Sequence, residues 1–402
     1  MHTKSIKGER FALNPVTRGG ARSKGLFAPE EYRKVQSFLY KTNKGLITPL
    51  ITLSALASRL GVGEILLKDE SSRWGLSAFK ILGVSYAIHR LLEDRVLTGE
   101  SVLCCATDGN HGLALAHVAR KMSLRAHVYV HSHTTQARAD AIQKEGAEIV
   151  VVDGNYDDAV RRAADDAQRH GWIVISDTSW PGYELVPRYI MAGYTILLDE
   201  AAEQWPPTAT PDVVLIKAGV GGLLCAVASW LCHRFGSQRP YLISCEPIGG
   251  ACVLESAKAG ELTTLQGSLD TVMAGLSCGT PSPVAWPTIS TVVDAFVAIE
   301  DEQAEEAMRL LAYPEPPDCR VVAGESGACG IASLIAVLRN EDLKPLRDAA
   351  GLGPGSRILV VNTEGATDPQ TYQRIVAADT RGLSKNPMEN QERRRNETEN
   401  IT

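Results

Sequence analysis

Lys80 stands in a setting that suits covalent chemistry. It follows a polar, glycine-containing loop, residues 69–79, and opens an apolar run at helical spacing that reaches Leu92. Its neighbours Phe79 and Ile81 predict partial desolvation, which disfavours the charged amine and makes it a better nucleophile toward an aldehyde. A surface lysine that buries its stem and keeps its charged head in water would show the same pattern. Other motifs must therefore decide between the two interpretations.

A second loop whose residues could take part in chemistry comprises residues 106–112, with the sequence Ala-Thr-Asp-Gly-Asn-His-Gly. It joins a predicted strand to a predicted helix. Ligands bind at the carboxyl ends of parallel strands, and glycines there allow the backbone to come close. Asn110 could donate a hydrogen bond to a phenolic oxygen, and Asp108 could act as a carboxylate base. A helix cap is the alternative for Asp108, because Asp is a favoured N-cap residue. We expect His111 to be structural.

The third loop, residues 217–224, is rich in glycine and precedes a helix. Its backbone N–H groups, aided by the helix dipole, suit a phosphate. A dinucleotide site is the competing interpretation. The loop lacks the full GxGxxG spacing, however, and the end of the following strand offers no acidic residue better placed than Glu246. A single phosphate suits it better.

The elements that must position these loops alternate along the chain. Predicted strands occupy residues 65–69, 101–106, 126–130, 148–152, 172–176, 213–216, 241–247 and 357–362. Predicted helices occupy residues 81–92, 113–122, 136–145, 156–170 and 189–202, and another runs from the glycine loop to about Cys232. This alternation indicates parallel sheets covered by helices.

Length and composition narrow the class of protein. A chain of 402 residues exceeds what one core usually supports, so two domains are expected. The net charge of −6 and the lack of a basic run give no support for nucleic-acid binding, and we expect a small-molecule partner. No apolar segment is long enough to span a membrane, and the first ten residues lack the apolar core of a secretion signal, so we expect a cytoplasmic protein with reduced cysteines.

Lys80 could bind an aldehyde, the glycine loop could bind one phosphate, and Asn110 could contact a ring. Together these features describe a pyridoxal phosphate site. The chain resembles the fold-type-II, tryptophan synthase β-like pyridoxal phosphate enzymes, which include serine and threonine dehydratases. More narrowly, it resembles the diaminopropionate ammonia-lyase family. The segments that carry the narrower match are residues 106–112, with Asp108, and residues 177–183, 190–194, 273–279 and 362–369. The resemblance extends from about Thr48 to Thr371.

This resemblance implies an α/β architecture of two parallel-sheet domains. Residues 1–88 and 196–378 would form a large, discontinuous cofactor-binding domain, and residues 89–195 a small one. We expect the polar residues 379–402 to be a disordered tail. The resemblance also implies a homodimer with a small amino acid as its substrate, and it implies no metal site.

The implied chemistry is α,β-elimination of D- and L-2,3-diaminopropionate to pyruvate and ammonia, with pyridoxal 5′-phosphate as cofactor. Lys80 would form the Schiff base and serve as base on one face of the substrate, and Asp108 would serve on the other. Asp177 would contact the distal amine or support Asp108, with a strand-end cap as the alternative. The implied cofactor contacts are Phe79, Lys80, Asn110, Gly219, Val220, Gly221, Gly222, Leu223 and Thr363.

Two other functions stay open. One is a dehydratase or lyase for serine, threonine or a 3-substituted alanine, and the other is a catalytically silent binding protein on the same scaffold. The carboxylates of Asp108 and Asp177 favour a substrate with a cationic second amine. Cys252 and Cys278 lie in segments that match the family, and we expect two free thiols there rather than a disulfide.

Overall fold

The computed structural model describes residues 10–15, 25–42, 46–107, 109–206 and 210–378. The strands are β1 (Phe11–Leu13), β2 (Leu50–Thr52), β3 (Glu64–Asp69), β4 (Val102–Thr107), β5 (Arg125–His131), β6 (Glu148–Val152), β7 (Ile173–Val174), β8 (Val213–Lys217), β9 (Tyr241–Pro247), β10 (Ala295–Ile299) and β11 (Arg357–Asn362). The helices are α1 (Pro29–Thr42), α2 (Ser54–Leu60), α3 (Lys80–Glu93), α4 (Asn110–Lys121), α5 (Gln136–Lys144), α6 (Tyr156–His170), α7 (Leu185–Tyr194), α8 (Ile196–Gln204), α9 (Gly222–Phe235), α10 (Cys252–Ala259), α11 (Trp286–Val292), α12 (Asp301–Ala312), α13 (Glu325–Arg339), α14 (Lys344–Ala349) and α15 (Pro369–Ala377).

The larger sheet has seven strands in the order β1-β10-β9-β8-β11-β3-β2. Its five inner strands run parallel, whereas the edge strands β1 and β2 pair antiparallel with their neighbours. β8 is buried along its whole length, as expected for a parallel strand covered on both faces. The antiparallel edges were not expected from the sequence.

The smaller sheet has four strands in the order β6-β5-β4-β7, all parallel. All its strands come from residues 102–174, and the strands of the larger sheet come from the chain on either side. The domain boundaries at residues 88/89 and 195/196 stay a prediction. The expected tail, residues 379–402, lies outside the described residues.

The predicted strands at 148–152, 241–247 and 357–362 and the predicted helix at 156–170 are confirmed at both ends. The single helix predicted for residues 189–202 is wrong. The chain forms α7 and α8, divided at Thr195, whose N–H bonds to the carbonyl of Ala192, three residues back instead of four. Strand β10 was not predicted. In the described parts of the chain, no helix combines the length and apolar character needed to cross a bilayer.

Candidate active site

The loops at the carboxyl ends of both sheets surround one cavity. Lys80 begins α3, Asn110 begins α4, and the glycine loop joins β8 to α9. The predicted site residues that line the cavity are Phe79, Lys80, Asn110, Asp177, Gly219, Val220, Gly221, Gly222, Leu223 and Thr363. Asp108 lies outside the described residues, and Gly109 occupies the N-cap position of α4. The structure thus brings together every predicted site residue that it describes.

Lys80 is held by a carboxylate 97 residues away in the sequence. Its Nζ donates a hydrogen bond to Oδ2 of Asp177, and the Tyr156 hydroxyl donates to Oδ1 over 3.3 Å. The rings of Phe79 and Tyr194 flank the amine, with centroids 5.3 and 5.8 Å from Nζ. These contacts fix the direction in which the lysine enters the cavity.

The ion pair governs the titration of both groups. Burial by itself would lower the pKa of Lys80, but the charge and hydrogen bond of Asp177 outweigh it and raise the pKa above its ordinary value. Burial by itself would raise the pKa of Asp177, but the charges of Lys80 and His111 hold it well below the usual range. The expected lowering of the Lys80 pKa by desolvation is therefore wrong in this arrangement. The apolar neighbours of Lys80 adjoin it in the sequence, whereas its partner carboxylate lies 97 residues away, so the sequence pattern did not reveal the pairing.

The glycine loop forms a cradle for an anion. Gly221 is the N-cap of α9 with φ +89°, a left-handed conformation that favours glycine. A Cβ on Gly219 would lie 3.0 Å from Sγ of Cys278 and 3.2 Å from the carbonyl of Gly275. The residues that begin α9, Gly222 and Leu223, line the cavity, and the first N–H groups of a helix have no partner within it. A phosphate fits this cradle.

Asn110 meets a carboxylate that the sequence analysis did not single out. Its Nδ2 donates to Oε2 of Glu364, and the backbone N–H of Ser326 donates to Oε1 over 3.0 Å. The Ser326 hydroxyl is buried, lines the cavity and has no hydrogen-bond partner among the described residues. Glu364 could have been noticed because it follows Thr363 directly. Ser326 carries no sequence signal of its own.

His111, for which we expect a structural role, is anchored to the backbone of another segment. It is buried, and its Nε2 donates to the carbonyl of Ile175 over 2.6 Å. Burial lowers the pKa of the imidazole, so the ring is uncharged near neutral pH despite the nearby Asp177 carboxylate. His111 thus ties the asparagine loop to the segment that carries Asp177.

Comparisons with known proteins identify the family to which this chain belongs. The family model described as "Pyridoxal-phosphate dependent enzyme" matches residues 42–364. The chain belongs to this family. Diaminopropionate ammonia-lyase of Escherichia coli (strain K12) is 38% identical over 367 residues, which cover 87% of this chain and 92% of that protein. The crystal structure of the Escherichia coli enzyme with an aminoacrylate-PLP azomethine reaction intermediate matches with a TM-score of 0.84 and 37% identity, covering 91% and 96% of the two chains.

A more distant relative is the mouse L-serine dehydratase/L-threonine deaminase, which is 30% identical over 219 residues, covering 54% of this chain and 62% of that protein. The predicted fold class, the predicted cofactor and the narrower resemblance to diaminopropionate ammonia-lyase are confirmed by these comparisons.

The chemical groups in the cavity match those of the cofactor that pyridoxal-phosphate dependent enzymes use. An amine is available for an aldehyde at Lys80, and the cradle at Gly219 accommodates a phosphate. The Thr363 side chain and the unpaired hydroxyl of Ser326 offer hydrogen bonds to a polar ring atom. Each end of the cofactor thus has a matching group in the cavity.

The cysteines of this pyridoxal-phosphate dependent enzyme, all of which lie in the described residues, form no disulfides, as predicted. Cys252 and Cys278 are both buried, and neither forms a disulfide. Sγ of Cys252 lies 3.5 Å from the carbonyl of Gly219, to which it donates. The two thiols therefore pack beneath the phosphate cradle.

Proposed function

We propose that the protein removes ammonia from 2,3-diaminopropionate, accepts both the D and the L isomer, and yields pyruvate and ammonia. The observation that carries the proposal is the pairing of Lys80 with the buried carboxylate of Asp177 inside the cavity. Once Lys80 engages the cofactor, Asp177 loses its cationic partner and suits the distal ammonium of the substrate. The relatives named diaminopropionate ammonia-lyase support this substrate and the carbon–nitrogen lyase class.

When bound, pyridoxal phosphate supplies an electron sink for the carbanion that forms at the α-carbon of an amino acid. Lys80 would hold its aldehyde carbon, and Phe79 would pack beside it. The backbone N–H groups of Gly219, Val220, Gly221, Gly222 and Leu223 would hold the phosphate, and Thr363 would meet the ring nitrogen.

Asn110 would meet the phenolic oxygen of the ring. One of its amide hydrogens is already donated to Glu364, so that carboxylate fixes the amide orientation. The second amide hydrogen stays available for the cofactor. Glu364 is therefore a positioning residue for Asn110 in this proposal.

Proton transfer would use both faces of the substrate. Lys80 Nζ takes the α-proton from one face, and the carboxylate of Asp108 takes it from the other. A base on one face can remove the α-proton of only one enantiomer, so tolerance of both isomers requires two bases.

The test is pyruvate release from each purified isomer by the wild type and by Asp108→Asn. The variant should lose activity on the D isomer by roughly a hundredfold or more, the cost of a positioned base, whereas activity on the L isomer falls much less. Asp153→Asn, which changes an exposed carboxylate, is the control and should leave both activities unchanged. Equal loss on both isomers would mean that Asp108 orients the substrate instead of taking a proton.

The second candidate is a serine or threonine dehydratase or a 3-substituted-alanine lyase, supported by the relationship to the mouse dehydratase. A hydroxyl leaving group does not require the carboxylate of Asp177, which disfavours this alternative. Wild-type protein that ignores both isomers of diaminopropionate but deaminates serine or threonine would establish it. A homodimer and a cytoplasmic location also stay predictions, and sedimentation of the purified protein tests the first.

A further inference from the structure

Lys217 is a buried lysine in the cavity lining to which the proposed function assigns no role. It is the last residue of β8, directly before the glycine loop, and it is only 3% exposed. Burying an ammonium group is costly unless hydrogen bonds compensate it. An apolar side chain would avoid this cost, so the lysine contributes something that packing alone does not.

The ammonium of Lys217 lies where two neighbouring strands of the larger sheet separate. β8 and β11 run parallel, and their paired residues end at Leu215 and Val360. Each strand continues for two more residues. Beyond the last pair, Nζ of Lys217 donates a hydrogen bond to the carbonyl of Val361 over 2.5 Å. The side chain thus connects the two strands after their backbone pairing has ended, at the edge of the sheet where ligands bind.

The same ammonium also bonds to a helix. Nζ of Lys217 donates to the carbonyl of Gly327, in the first turn of α13, over 2.7 Å. Ser326 directly precedes Gly327, and Thr363 follows Val361 by two residues. Both Ser326 and Thr363 line the cavity. Lys217 therefore joins the two chain segments that carry these hydroxyl groups.

The positions of these two hydroxyl groups matter for the cofactor. The hydroxyl of Ser326 is buried and has no hydrogen-bond partner among the residues that the structure describes. Under the proposed function, Thr363 meets the ring nitrogen of pyridoxal phosphate. Hydrogen bonds between a hydroxyl and a ring atom require a narrow range of distances and angles. The segments that carry Ser326 and Thr363 must therefore be fixed relative to each other.

We infer that Lys217 is a positioning residue for the ring nitrogen of pyridoxal phosphate, because its ammonium holds the segments of Ser326 and Thr363 together. This inference rests on the proposed function for the placement of the ring nitrogen, but it does not depend on which amino acid is the substrate. Lysine suits this role because its three N–H donors stand on a flexible stem and can reach carbonyls of two different elements. An apolar side chain of similar length would fill the space and make neither bond.

The charge state of Lys217 agrees with this role. Burial lowers the pKa of the amine to about 8, while the nearby Cys329 and Glu364 oppose this shift. The amine is therefore still largely protonated near neutral pH and keeps its three N–H donors.

The test observes the ring nitrogen directly in the holoenzyme. Pyridoxal phosphate labelled with nitrogen-15 in the ring is bound to the wild type and to Lys217→Met, and its signal is recorded by NMR. The signal in Lys217→Met should shift in the same direction as in a variant that lacks both hydroxyl groups, Ser326→Ala with Thr363→Val. Cofactor affinity in Lys217→Met should fall roughly 3- to 10-fold, the loss expected for one neutral hydrogen bond.

A combined variant separates positioning from a general loss of stability. Adding Lys217→Met to the variant without the two hydroxyl groups should shift the nitrogen signal no further, because the lysine acts through these groups. Lys217→Gln keeps a donor for one carbonyl and should shift the signal less than Lys217→Met. It carries the test if Lys217→Met does not fold.

The matched control is Lys344→Met, which removes an exposed lysine of α14 and should leave the nitrogen signal and the cofactor affinity unchanged. An unchanged signal in the Lys217 variants, or a further shift in the combined variant, would overturn the inference. Wild-type protein that ignores diaminopropionate would refute the proposed substrate but leave these expected signals as they are.

Discussion

Two groups of polar and charged side chains lie near the Lys80 loop, and they differ in how completely they are paired. Behind the loop lies an ionic quartet made of Lys68, Glu70, Arg73 and Glu200, all at most 1% exposed. Arg73 donates to both carboxylates over 2.5 to 2.8 Å, and Lys68 donates to Glu200 over 2.9 Å. The two positive and two negative charges cancel.

The cavity beside the Lys80 loop contains polar groups that have no hydrogen-bond partner among the described residues. The hydroxyl of Ser326 and the Nδ1 atom of His111 have no hydrogen-bond partner in the described part of the chain. The guanidinium of Arg138 lies 4.0 Å from Oε2 of Glu325, which is longer than a hydrogen bond. These groups lie within one cavity lining, together with Lys80.

The difference in pairing indicates different roles for the ionic quartet and for the polar groups of the cavity. A satisfied ionic network gains little over apolar packing but penalises any other arrangement, so it holds the loop that carries Lys80 in one geometry. Residue 74, the tryptophan next to Arg73, has φ +49°, a backbone conformation that is strained for a residue other than glycine. Unsatisfied groups in the cavity instead retain binding capacity for ligands.

The largest expected effect is on catalytic activity, and it comes from changing a side chain of the cavity. Lys80→Ala should abolish pyruvate formation, because the change removes the amine that holds the cofactor and the base for one face together. The fold should survive, since the quartet stays intact, and circular dichroism checks this. Pyruvate release at a near wild-type rate would refute the central role of Lys80.

Breaking the quartet should mainly reduce stability. Glu200→Gln leaves two buried cations with one carboxylate, and we expect the free energy of unfolding to fall by about 3–5 kcal/mol. Urea unfolding measures it. Glu203→Gln on the same helix changes an exposed carboxylate and should stay within about 0.5 kcal/mol of the wild type. Similar values for the two variants would mean that the quartet is not a cooperative network.

Glu325 should make stability depend on pH. Its pKa is about 7 in the folded chain and 4.5 ordinarily, so its contribution is fully present below pH 4.5 and is lost as the pH rises through 7. Relative to wild type, Glu325→Gln should therefore gain on the order of 3 kcal/mol across this window. Thermal unfolding of both proteins at a series of pH values provides the measurement. A constant difference would show that Glu325 titrates normally.

The smallest expected effect is at Ser326. Because its hydroxyl has no hydrogen-bond partner among the residues that the structure describes, Ser326→Ala should change the free energy of unfolding by less than about 0.5 kcal/mol. Ser256→Ala is the matched comparison, since that buried hydroxyl donates to Cys252 and accepts from Thr263, and its loss should cost about 1–3 kcal/mol. Equal costs would mean that the Ser326 hydroxyl is satisfied in solution.

Local patterns were enough to find the parts of the site. The lysine at the start of α3, the asparagine at the start of α4 and the glycine loop before α9 each follow a buried strand, and strand-to-helix junctions of parallel sheets meet at one edge. Apolar runs and turn residues also located β6, β9 and β11, because these signals depend only on neighbouring residues.

Partners distant in the chain could not be found in this way. Asp177 reverses the pKa shift expected for Lys80, and Glu200 completes the quartet from a position 127 residues after Arg73. Arg138 resembles any basic residue on a surface helix until the fold turns it into the cavity. The sequence by itself thus determined the cofactor and predicted the loops that we propose bind it, since their residue types and spacing are local. Only the tertiary structure decided which charges are paired and which stay free, because pairing depends on distances between elements far apart in the chain.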